Sequence, residues 1–255
     1  MHYTGIFQGG GLKSIAYIGA ILALEEEGFI CNKAAGVSAG AIFASLLLAG
    51  YTGKELLEII NSLKIDEFIK KEKSHIKGLI NDKGMYSIYY IENKIKELLL
   101  NKDIYSFVSF KKNNEHRLKI LATNTSKNIP IVFPDHLKYY NINQDIFPVS
   151  KAVAMSCTFP IFFKPQKINN NYISDGGIIN NFPYNLFAYQ NNELVFGFIL
   201  SNKLDKNIPK NIKIIKLNTK GIKMLNFNLK KEDQFKLIKT SYLETKKQLK
   251  DMNII

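Results

Sequence analysis

No tryptophan occurs in the 255 residues, arginine occurs once, at Arg117, and the cysteines are two, Cys31 and Cys157. Each scarcity removes a class of function. Nucleic-acid readers depend on arginine for bidentate contacts to guanine and phosphate, and no helix-turn-helix, zinc-finger or aromatic RNA-binding signature is found, so no nucleic-acid partner is expected. Two cysteines far apart and in no metal-ligand spacing make neither a disulfide framework nor a zinc site. Both lie among apolar or small residues and read as buried free thiols. Long apolar runs are also missing: the longest, residues 41–49, falls well short of the roughly 18 that suggest a membrane span. Residues 3–7 read as a strand rather than as the apolar core of a secretion signal, so a cytoplasmic protein is expected. No Pro/Gly/Ser-rich linker breaks the chain, and residues 1–255 are expected to form a single domain.

What is plentiful is lysine and apolar side chains. The net charge is +13 and 46% of the residues are hydrophobic, with aromatic bulk from phenylalanine and tyrosine, which fits a globular chain with an ordinary core. Lysines near an anionic membrane are each worth about 1 kcal/mol, so peripheral contact with such a surface is one reading. The plainer one is solvated surface, because lysine, asparagine and isoleucine are abundant together along the whole chain.

Periodicity predicts a strand at 3–7, a glycine loop, and a helix over 14–27 that stops at Gly28. A short apolar piece at 33–37 turns at Ser38 into a second helix, 39–49, closed by Gly50. Further helical patterns cover 54–60 and 87–100, separated by a lysine-rich region, 64–85, that reads either as a solvated insert or as a mobile lid. Two strands at 118–122 and 129–133 are joined by an Asn-Thr-Ser-Lys-Asn turn and predict a hairpin. Strands follow at 172–173, 194–200 and 212–217, and an amphipathic helix at 230–252 places Phe235, Ile238, Tyr242, Leu249 and Met252 on one face. That face is expected to pack on the sheet, with a membrane-surface helix as the alternative. Strands alternating with helices predict an α/β fold: three layers, α/β/α, around a mostly parallel sheet.

Three motifs carry chemistry. In Gly36-Val37-Ser38-Ala39-Gly40 the spacing is that of a nucleophile elbow, in which Gly36 and Gly40 leave room for a sharp turn that lifts the Ser38 hydroxyl toward solvent at a helix start. Gly9-Gly10-Gly11 follows a strand and precedes a helix, so its N–H groups can converge on an anion. It is no Walker loop, because Leu12 stands where that motif needs glycine before Lys13-Ser14, and the dinucleotide pattern fails at Ser14. Asp175-Gly176-Gly177 would by itself read as an ordinary Asx turn. A Ser-His-Asp hydrolase of the α/β-hydrolase type needs a histidine after its acid, yet the last one here is His136. The simplest catalytic reading is therefore a carboxylate acting directly on a serine.

The run from Phe7 to Lys13, the elbow, the segment from Ala152 to Phe163, and Asp175-Gly176-Gly177 with Asn181-Phe182-Pro183 resemble the patatin-like phospholipase family, over residues 3 to about 190. One departure is Ser14, where the family usually has a glycine. The resemblance implies a Ser-Asp dyad, with Ser38 as nucleophile and Asp175 as base, hydrolysing lipid acyl esters without metal or other cofactor. It implies an oxyanion hole from Gly9, Gly10, Gly11 and, at the helix start, Ala39, with Gly36, Gly40, Gly176 and Gly177 supporting the turns. The expected substrate is a phospholipid or lysophospholipid. A soluble carboxylesterase or thioesterase, and a non-catalytic lipid-binding protein on the same scaffold, remain alternatives.

Overall fold

A computed structural model describes residues 1–63, 88–160, 162–187, 189, 192–200, 207–224 and 229–255. Among these residues the strands are β1 (His2–Phe7), β2 (Ile30–Val37), β3 (Lys111–Lys112), β4 (Glu115–His116), β5 (Leu118–Asn124), β6 (Ile129–Phe133), β7 (Gln166–Ile168), β8 (Asn171–Asp175), β9 (Val195–Ile199) and β10 (Ile212–Lys216). The α-helices are α1 (Ala16–Glu26), α2 (Ala39–Leu48), α3 (Gly53–Ser62), α4 (Tyr89–Leu100), α5 (Val149–Ser156) and α6 (Lys231–Asp251).

The main sheet runs β10-β9-β1-β2-β5-β8-β7, with β6 paired to the other flank of β5. From β10 to β5 every pairing is parallel, whereas β6, β7 and β8 run antiparallel to their neighbours. The expected α/β fold, a mostly parallel sheet flanked by helices, is the one found. Its central strands are buried on both faces, as in sheets covered by helices on either side: every residue of β1 after His2 and all of β9 are buried. One face meets the large core, where Phe7 stacks on Phe198 and both contact Tyr17 of α1. The opposite face carries Ile6, Val195, Ile199 and Ile212 with Phe182, and Val37 with Leu121 and Val132.

β1 lies between β2, the next strand in the chain, and β9, a late one. Connections leaving the carboxyl end of the sheet diverge at such a switch, and ligand sites form there. Gln8 closes its base: Oε1 accepts from the Leu200 N–H at 2.7 Å, and the Gln8 carbonyl accepts from the Tyr17 hydroxyl at 2.6 Å.

The expected helices and the 118–133 hairpin are present, and α4 begins at Tyr89. Residues 64–85, read as an insert or a lid, lie outside the described residues. One expectation is corrected in α6. Its buried face is Gln234, Leu237, Ile238, Ser241, Thr245 and Leu249, and Phe235 is half exposed. The small side chains face inward because α6 lies almost backbone to backbone on α1: a Cβ on Gly19 would stand 2.1 Å from the Ile238 carbonyl oxygen. The helix is therefore seated mainly on another helix, against the expectation of packing on the sheet. No described helix is long and apolar enough to cross a membrane.

Candidate active site

Strand register brings Ser38 and Asp175 together. β2 runs parallel to β5 and ends with Val37 opposite Leu121; β8 runs antiparallel and ends with Asp175 opposite Ala122. Because β6 occupies the other flank of β5 along 120–124, β2 and β8 share one flank and meet head-on. The residue after Val37 and the last residue of β8 thus face each other across a break in the ladder.

Ser38 sits at φ 55° and ψ −132°, a left-handed backbone that costs a non-glycine residue of order 1–3 kcal/mol unless its surroundings hold it. The turn leaves no space for side chains on either side. A Cβ on Gly36 would lie 2.4 Å from the Gly40 carbonyl oxygen, and one on Gly40 would lie 2.4 Å from that of Phe7. Although Ser38 occupies the N-cap position of α2, its hydroxyl makes no capping bond. Among the described residues the Ala39 N–H has no protein partner, and together with the helix dipole it favours negative charge beside Ser38.

Asp175 is buried, at 2% exposure. Its Oδ1 accepts from the Gly177 N–H at 2.7 Å. Its Oδ2 makes no hydrogen bond of ordinary geometry, and the side chain that interacts with this carboxylate is Ser38. Burial pushes the Asp175 pKa up to about 6, against the lowering effect of the Ser38 hydroxyl and the Gly177 N–H. Gly176 allows the approach to the elbow: a Cβ there would be 2.4 Å from the Leu121 carbonyl oxygen and 2.7 Å from Val37.

Gly9 does not fit the role expected of it. Its N–H donates to the Asn181 carbonyl at 3.1 Å and so is unavailable to an oxyanion. The position matters for proximity instead, since a Cβ would lie 2.4 Å from Asn181 Oδ1 and 3.2 Å from the Ser38 Cβ. Asn181 then donates from Nδ2 to the Gly9 carbonyl at 3.0 Å and passes close to Gly177, joining the first glycine loop to the third motif. Among the described residues the N–H groups of Gly10 and Gly11, like that of Ala39, make no hydrogen bond.

From Ser38 a cavity of 260 Å³ opens between α2, α3 and α4. Ile42, Leu46, Leu56, Ile59, Ile95 and Leu98 form much of its wall, and Gly11, Ala39 and Cys157 line it beside Ser38. Lys94, paired with Glu97 at 2.7 Å, is the one charged side chain on that wall among the described residues. Burial, then the Asp175 charge, pushes the Cys157 thiol far above its ordinary range, so it remains protonated. The described histidines lie elsewhere. His116 bonds Asp145 at 2.8 Å and His136 accepts from the Val132 N–H; His75 is outside the described residues.

Ser156, inside the segment from Ala152 to Phe163, and Asn181, beyond the third motif, carry no signal of a role in the sequence itself. Ser156 is fully buried, and its Oγ accepts from the Ser38 N–H at 2.8 Å while its proton goes to the Leu121 carbonyl at 2.6 Å.

A family model, patatin-like phospholipase, matches residues 5–188. An uncharacterized protein of Bacillus subtilis, YqhO, is 35% identical over 224 residues, covering 84% of this chain and 76% of its own. A protein of Invertebrate iridescent virus 6 described as a probable lipid hydrolase, 463L, is 29% identical over 195 residues, covering 74% of this chain and 64% of its own. Among solved structures, VipD from Legionella pneumophila superposes with a TM-score of 0.60 at 17% identity, over 98% of this chain and 67% of that one. The type III effector ExoU superposes with a TM-score of 0.56 at 17% identity, over the whole of this chain and 53% of its own. With the family match spanning the glycine loop, the elbow and the Asp-Gly-Gly turn alike, the chain belongs to the patatin-like phospholipases.

Proposed function

We propose that the protein is a lipid acyl hydrolase of the phospholipase A or lysophospholipase type, in which Ser38 is acylated and Asp175 is its base. One observation carries this reading: an uncapped serine hydroxyl at a strained elbow stands between a buried carboxylate and an apolar cavity suited to a hydrocarbon chain. Family membership supports lipid ester hydrolysis independently.

In this reading the ionised Asp175 takes the Ser38 proton as Oγ attacks the ester carbonyl. Its pKa of about 6 makes it a better proton acceptor than an exposed aspartate while leaving it ionised at neutral pH. Charge builds on the carbonyl oxygen, and the N–H groups of Gly10, Gly11 and Ala39 supply the hole; removing one donor of this kind costs about 10²- to 10³-fold in rate. The leaving alcohol takes the proton from Asp175. Water, deprotonated in turn by Asp175, then attacks the acyl-serine, and the Ser38 oxygen takes that proton back from Asp175 as the fatty acid is released. No step needs a metal. The acyl chain lies along α2, where Leu46 is two turns beyond Ser38, about 12 Å by helix rise. The net charge of +13 suits peripheral contact with an anionic membrane, reached from the cytoplasm.

The test is fatty-acid release from anionic phospholipid vesicles, with chelator present, by the purified protein and by Ser38→Ala. Release that survives chelation and vanishes in the variant is expected. Equal rates on soluble short esters, without preference for lipid aggregates, would point to a soluble esterase. Release by Ser38→Ala at the normal rate would overturn the reading.

A further inference from the structure

Ser156 stands where the sheet is interrupted. β2 must leave β5 after Val37 so that α2 can begin, and the Ser38 N–H and Leu121 C=O are the two groups that a further rung of the ladder would join. The Ser156 hydroxyl fills the gap between them, accepting from Ser38 at 2.8 Å and donating to Leu121 at 2.6 Å. The bridge has a direction. The hydroxyl has one proton, and with that committed to Leu121 its oxygen can only accept from Ser38. The peptide between Val37 and Ser38 is thereby fixed in the plane that the left-handed backbone of Ser38 requires.

The same end of α5 also holds the other reacting group. Two residues past Ser156, the Thr158 carbonyl accepts from the Asp175 N–H at 2.9 Å, and the Thr158 hydroxyl is tied back to Ala154 at 2.8 Å. Residues 156–158 therefore grip Ser38 through its backbone on one side and Asp175 through its backbone on the other. Neither grip touches the reacting atoms. We propose that Ser156 is a positioning residue of the catalytic centre: its bridged hydroxyl, with the Thr158 carbonyl, sets the spacing between the Ser38 Oγ and the Asp175 carboxylate. The inference rests on the reading of Ser38 as nucleophile and Asp175 as base.

Without the bridge, the half-buried Ser38 N–H and the buried Leu121 C=O both lose their partner and must move to find others. A displacement of about 1 Å at a reacting atom is enough to cost on the order of 10²-fold in rate. Binding of substrate uses other surfaces and is not affected.

The experiment compares Ser156→Ala and Ser156→Cys with the parent on a soluble short-chain ester, together with the rate at which a fluorophosphonate labels Ser38 and the melting temperature. The cysteine variant keeps nearly the parent shape, with a thiol that hydrogen-bonds weakly. It remains informative if the alanine variant does not fold. Val153→Ala, from the buried face of the same helix, serves as a destabilised control without the bridge. Both Ser156 variants should lose about 10²-fold in kcat and in labelling rate with KM little changed, while Val153→Ala melts lower at normal kcat. Parent-level kcat in a folded Ser156 variant, or an equal loss in Val153→Ala, would overturn the proposal. Ser38→Ala run alongside separates the two claims, since turnover there would overturn the nucleophile reading on which this one stands.

Discussion

Ser38 divides two regions built in opposite ways. On the sheet side, contacts are backbone against backbone: the Gly40 and Phe7 carbonyls fill the places where side chains would begin on Gly36 and Gly40, and Leu121 presses on Gly176. On the cavity side, the wall is mostly aliphatic side chains, among them Ile42, Leu56 and Ile95 from three helices. Backbone contacts have no alternative rotamer, so that side responds to change by failing. Side-chain walls can be refilled at modest cost, so the cavity side responds by grading. The proposed chemistry thus lies where geometry cannot drift, and the proposed acyl-chain site where it can.

The largest loss is expected from Asp175→Asn, which keeps the shape and removes the proposed base. Turnover should fall by about 10³-fold or more, within the range for losing general-base catalysis. Stability should rise at the same time. Asp175 holds its proton to about pH 6 in the folded protein and titrates near the ordinary aspartate value when unfolded. Stability is thus fullest below the unfolded value and falls as pH rises through the window up to about 6, by about 3 kcal/mol in all. An amide does not ionise, so the variant should melt higher than the parent at pH 7 and lose that part of the pH dependence.

Next in size is the pH profile itself. In the proposed mechanism the ionised carboxylate is the active form, so kcat/KM should climb about tenfold per unit up to pH 6 and level off above it. Activity then rises where stability falls, and a profile flat from pH 4.5 to 7 would remove Asp175 as base. On the cavity side, Leu46→Phe narrows the far wall. It should lower kcat/KM for long acyl chains by about tenfold and spare short ones, as a few methylenes usually do. The smallest effect on rate belongs to a position remote from both regions. Gly19→Ala drives a Cβ into the Ile238 backbone and should destabilise by about 1–3 kcal/mol, seen in a thermal melt, with kcat of the folded enzyme unchanged.

Much of the sheet side was legible because glycine leaves a record where backbones touch. Backbone crowds Gly36, Gly40 and Gly176 in the structure, of which the sequence spacing pointed to the first two, and the break of period at Ser38 marked the strand-to-helix turn. What the pattern could not supply was partnership over distance. Ser156 meets Ser38 across 118 residues and Leu121 across 35. It ends a helix whose eight residues are all buried except Lys151, so no polar face set the helix off in the sequence. The availability of the Gly9 N–H was likewise hidden, since its acceptor is the Asn181 carbonyl. In α6 the rule that apolar residues face inward failed at Phe235, because contact with Gly19 selects small side chains such as Ser241 ahead of large ones.

The central claim is that an acyl group passes through Ser38. The direct measurement is mass spectrometry of the intact protein and of its peptides after acid quench during turnover of a slowly deacylated ester. One acyl adduct is expected, on the peptide containing Ser38, present in the parent and absent in Ser38→Ala. An adduct on another residue, or product formed by Ser38→Ala at the parent rate, would contradict it.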